Sequence, residues 1–165
     1  MRLPVTLAFV LFIASATFAR PIADWPYEKL FKEADLVVIA TAKGTRATDD
    51  TLDGPYKEHL LGQVTTLTVR SVLKGDAKPG TVEVLHFVEK GEMRLPNGPM
   101  LVVFRTTPAH VEAKTYQTHV GTPDYLIFLK AEKDGRYSPV AGQVDSELSV
   151  KEIYRPLPDV FFKKP

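Results

Sequence analysis

Cysteine is missing from all 165 residues, and that absence excludes more chemistry than any residue present suggests. There are no disulfides, no thiolate metal ligands, no thiol nucleophile and no lipid-modified cysteine behind a leader. An excess of one charge is missing too, since 21 Lys plus Arg stand against 20 Asp plus Glu. The nearest thing to a basic run is Lys163-Lys164. A nucleic-acid binder gathers positive charge on one face to displace counterions, so no nucleic-acid partner is expected. The same balance gives no reason to expect strong attachment to anionic membranes. Long apolar runs are confined to the start, where Arg2 is followed by Leu3 to Ile13 and the small-residue exits Ala14-Ser15-Ala16 and Thr17-Phe18-Ala19. That is the pattern of a secretory signal peptide, and the run is too short for a membrane span. Cleavage is expected after Ala19, with Ala16 as the alternative site. Residues 20–165 then form one domain that is secreted or periplasmic, with no stable membrane insertion once the signal is gone. An exported chain without cysteine fits a bacterial envelope or medium, and it must hold together through its core alone.

What is present is β-forming sequence. Val64 to Val88 reads QVTTLTVRSVL, KGDAKPG and TVEVLHFV, two strands rich in Val, Thr and Leu around a turn with Gly75, Pro79 and Gly80. In the second of these, Val82, Val84 and His86 share one side, and Glu83, Leu85 and Phe87 the other. Asp35 to Lys43 is apolar on both faces at its centre, as in a strand of a barrel wall or one covered by a helix. Met100 to Arg105 and Tyr125 to Lys130 read as further strands, and Asp134-Gly135 turns the latter into a hairpin with Arg136 to Val140.

Two helices flank these strands. Tyr27, Leu30, Phe31 and Ala34 recur at the spacing of one apolar helical face, with Asp24 as the expected cap and Pro26 in the first turn. Trp25, Tyr27 and Phe31 are expected to pack into the core. Ser149-Val150-Lys151-Glu152 fits a capping box, so a short helix is expected from Val150 towards Arg155, stopped by Pro156. The stretches Gly44 to Gly62 and Thr106 to Thr122 are polar and read as long loops. The fold class expected is therefore mainly β, a small closed or partly open barrel with short N- and C-terminal helices.

Several of these segments resemble one family. EADLVVIATAKG, TLTVRSVLKGDAKPGTVEVLHF and DYLIFLKAEKDGRYSPV are similar, in order and spacing, to the netrin-like OB-type barrels. The inhibitory domain of tissue inhibitors of metalloproteinases belongs to that family. The matching motifs are Ala34-Asp35, Leu73-Lys74-Gly75, Tyr125-Leu126 and Asp134-Gly135. The resemblance covers roughly two thirds of residues 20–165 and implies an OB-like barrel; its motifs belong to the scaffold and speak to fold more than activity. Those inhibitors place an N-terminal cysteine on a protease zinc, with disulfides keeping that end rigid. Here the corresponding end is Arg20-Pro21, so none of the family's inhibitory residues carries over.

No catalytic constellation emerges. His59, His86, His110 and His119 lack the short spacings of a zinc site, and no GxSxG or phosphate-cradling glycine motif occurs. Acid pairs drawn from Asp49, Asp50, Glu89 and Glu92 fall in turns and loops, where solvated charge is the ordinary state. Gln143 and Asp145 follow the last hairpin and either line a binding surface or satisfy turn amides. Binding residues concentrate on loops held by a rigid scaffold, which singles out Tyr56, His59, His110, Tyr116 and His119 as candidate partner contacts. The sequence thus favours a non-catalytic binding or interaction module for an extracellular or envelope protein, with no cofactor and no metal. Its alternatives are an inhibitor of an extracellular metalloprotease and, after that, a metal-assisted hydrolase.

Overall fold

The computed structural model describes residues 20–76, 80–91, 97–106 and 122–153. Helix α1 (Tyr27–Glu33) leads into strand β1 (Leu36–Ala47), followed by β2 (Leu60–Lys74), β3 (Thr81–Glu89), β4 (Asp124–Ala131), β5 (Tyr137–Pro139) and β6 (Val150–Ile153). The first five strands close into a barrel in the order β1-β2-β3-β5-β4 and back to β1, and β6 adds to the outer edge of β4. All pairings are antiparallel except β3 with β5, which meet in parallel at Val84 and Tyr137. Closure pairs each of the five ring strands with a neighbour on both sides, although β3 meets β5 at one residue pair only, an arrangement that suits a β-domain with no staples.

β1 makes that closure possible. It pairs with β2 along one side and β4 along the other, and its register against β2 shifts at three places, including Ala42/Gly44. Such shifts bend a strand and increase its twist, so one strand can serve two walls. Its apolar centre is buried on both faces, as expected. Val38 and Ala40 join Leu67, Val84, Tyr125, Ile127 and Leu129 inside the barrel. Val37 faces out, into a second cluster with Leu30, Ala34, Phe128 and Val140 beneath α1.

Several expectations are corrected. The loop read from Gly44 to Gly62 is shorter, because β1 continues to Ala47 and β2 begins at Leu60. Met100 to Arg105 is extended, with Val102 and Phe104 in the barrel core, but it joins no sheet. The ring is already complete, and hydroxyls stand in for ladder partners: Val102 N donates to Ser146 Oγ and Arg105 N to the Tyr125 hydroxyl. The helix expected from Val150 is strand β6 over its described part, preceded by a 3-10 turn at Ser146–Ser149. Ser149 caps nothing, and its Oγ instead accepts from Ala141 N at 2.7 Å. Asp24 likewise does not cap α1, whose N-cap residue is Pro26. Finally, the helix buries Leu30 and Ala34 but leaves Tyr27 and Phe31 exposed.

Candidate functional site

The connection from β1 to β2 carries Tyr56 and His59, and its shape is set by charge. Arg136, just past the β4–β5 turn, donates from both terminal nitrogens to the Asp50 carboxylate at 2.6 and 2.9 Å. Its Nε reaches Asp134 at 2.7 Å, so one guanidinium ties the loop to the turn. A planar fork on a carboxylate fixes orientation as well as distance. The Arg136 hydrogen bonds, with a further one from Thr48, pull the Asp50 pKa down to about 2. Asp50 is therefore ionised at neutral pH and acts as an anchor, with no proton to give as a general acid. Next to the anchor, Gly62 lies so close to Thr48 and Asp50 that a Cβ there would come within 2.7 Å of both.

A second ion pair lies outside the loop and joins Arg20 to Asp145. Arg20 donates to both Asp145 oxygens, at 2.5 and 2.9 Å, and to Gly98 O at 3.3 Å. The pair is half-buried, the hydrogen bond to Arg20 lowers the Asp145 pKa, and Tyr56 lies within electrostatic range of Arg20. Beyond the Arg136 anchor the loop makes a turn over Gly54 to His59, with His59 N donating to Tyr56 O at 2.9 Å. His59 O accepts from Lys90 N at 2.8 Å, while the His59 side chain is exposed. Tyr56 is half-buried and His59 free in solvent, on a backbone held at both flanks. Of the other candidates, His110, Tyr116 and His119 lie outside the described residues.

Behind this end a polar thread enters the barrel. The Thr45 and Thr65 hydroxyls are 2.7 Å apart, and Thr65 Oγ1 is 2.8 Å from His86 Nε2. His86 is 2 % exposed, and its ring meets Phe104 edge-on. Nδ1 makes no hydrogen bond of good geometry. Burial lowers the His86 pKa to about 4, against a weaker opposite pull from the backbone of Phe87 and Val102. The ring is thus neutral at physiological pH, a core histidine and not an exposed base. Among the described residues no group of three or more His, Asp or Glu converges to hold a metal ion. Gln143 donates to Leu85 O at 3.0 Å, which places it in the barrel wall.

Sequence reading found the loop, and it noted Asp50 and Asp145, but it missed Arg136 and Arg20. Their partners lie 86 and 125 residues away, and no local spacing announces a pair at such separations. No known protein family, curated protein or solved structure matches the chain.

Proposed function

We propose that this protein is an exported, non-catalytic binding module of netrin-like OB type, which engages an extracellular or envelope protein through the β1–β2 loop. The observation that carries the reading is the fixing of that loop near both ends, by Arg136 on Asp50 and by Lys90 N on His59 O. A loop fixed before contact loses less conformational entropy on docking, which favours recognition. The ring order with its one parallel contact supports the OB assignment, as do the motif residues that gather at one corner. There Asp35 Oδ2 accepts from Ala131 N, Gly75 packs against Asp35 O, and Lys74 caps α1.

A photo-reactive residue in place of exposed His59 tests this in the exporting cell. The reading expects a discrete protein adduct that weakens when Asp50→Asn frees the loop. Adduct-free material from both position 59 and position 56 would sink it. A second reading, inhibition of an extracellular metalloprotease, gains from the clasp on Arg20, which stiffens an end that otherwise has no staple. Unslowed cleavage across a panel of such proteases would remove it.

A further inference from the structure

Four of the six exposed large hydrophobic side chains among the described residues lie on or next to α1: Ile22, Tyr27, Phe31 and Leu73. Three of them, at 56, 45 and 50 % exposure for Tyr27, Phe31 and Leu73, wall a groove of about 530 Å³ whose floor is Val37, Leu126 and Phe128. Exposed apolar surface gathered in this way marks an interaction site, whereas scattered residues mean little. The helix also brings Glu28 and Lys32 to the groove. We infer that the groove is a self-association surface, and that its occupant is α1 of a second copy related by a two-fold axis.

The argument rests on the order of side chains along one helix face. Tyr27 and Phe31 are one turn apart, and so are Glu28 and Lys32, in two neighbouring rows. An isologous interface sets each residue against its counterpart in reversed order. Laid antiparallel, α1 of one copy brings Glu28 to the second copy's Lys32, and the reverse, while Tyr27 and Phe31 close over each other. The patch therefore complements itself in charge. An anionic lipid surface calls for a rim of cations alone, and Glu28 does not suit it. Lys74 is already engaged, donating to Phe31 O and Lys32 O at the end of α1. A seven-residue helix is only about 10 Å long, so the contact belongs with small, transient interfaces, below roughly 1,200 Å². This surface is separate from the loop end, and its fate does not decide the reading given above.

Sedimentation equilibrium on the chain without residues 1–19, from about 10 to about 500 µM, is the test, because weak interfaces show only at such concentrations. A concentration-dependent dimer is expected, weakened roughly tenfold or more by Tyr27→Ser with Phe31→Ser, as loss of a central aromatic pair dictates. Both residues are exposed, so these variants should fold, and circular dichroism checks that they do. Glu28→Lys or Lys32→Glu alone should weaken the dimer by about three- to tenfold, the scale of two exposed ion pairs. The double exchange, E28K with K32E, should restore it, and an equimolar mixture of the two single variants should form heterodimer in preference to either homodimer. A monomer throughout the range overturns the inference. So does a dimer that ignores the aromatic substitutions or is not rescued by the double exchange. A monomer that sediments with vesicles of equal phosphatidylglycerol and phosphatidylcholine would also overturn it, in favour of a membrane.

Discussion

Gly75 bears a tight backbone requirement. Its φ is +90°, a region that L side chains rarely adopt, and a Cβ there would sit 2.5 Å from the Asp35 carbonyl oxygen. Both costs fall on a corner where β2 ends and β1 begins. Gly75→Ala should lower stability by about 2 kcal/mol or more, since strain and collision add; a urea midpoint within error of the parent protein would refute this. That requirement was legible in the sequence, because Lys-Gly after an apolar run is a stop signal whose physics is local. The Ser149 reading failed for the opposite reason. Its capping-box spacing is real, but the hydroxyl is taken by Ala141 N eight residues away, and the segment pairs with β4 as a strand. A local rule loses when a sheet edge nearby offers a complete ladder.

At the scale of elements, α1 shows how far periodicity reaches. Spacing placed Tyr27, Leu30, Phe31 and Ala34 on one stripe, and the stripe exists, but the barrel wall covers only its Leu30 and Ala34 side. A repeat of 3.6 residues identifies neighbours on a helix and carries no information about where the surface beneath it stops. Leu30→Ala should therefore cost about 2 to 4 kcal/mol, the range for emptying a buried leucine site, while Phe31→Ala should cost the monomer less than about 0.5 kcal/mol. Equal losses in thermal melts of dilute protein would show that the wrong side has been assigned. The β1–β2 loop follows the same logic with charge. Its polar composition was plain, but its order comes from Arg136, which no pattern near residue 50 reveals. Asp50→Asn removes the charge from a partly exposed bidentate pair, so global stability should fall by only about 1 kcal/mol. Hydrogen exchange from Tyr56 to His59 should nevertheless quicken well beyond that of the β2 amides. Exchange left unchanged would mean that the loop is held by something other than Arg136.

For the molecule as a whole, the barrel was legible because closure answers a need that the sequence states: aliphatic strands and no cysteine. What composition could not state is that the ring would enclose a histidine. His86 alternates inward with Val82 and Val84 as the strand pattern requires, so its position was readable, but its consequences come from the finished enclosure. Folded, its pKa lies at about 4; unfolded, it returns to the ordinary value of 6.5. Between those values the unfolded chain binds a proton that the folded barrel does not, so stability rises with pH across the window. The contribution is complete above pH 6.5 and falls away as the pH drops towards 4, by about 3 kcal/mol in all. The carboxylates whose pKa values are lowered, Asp50, Asp134 and Asp145, lose their contributions at lower pH, as protonation begins near the unfolded value of 3.8. The two effects are therefore separable in one titration. Urea midpoints measured from pH 7.5 to 4.5 should decline steeply in the parent protein and much less in His86→Gln, which keeps a neutral polar side chain beside Thr65 without a group that titrates. A parent profile as flat as that of the variant would mean that the ring admits water and that His86 is not enclosed.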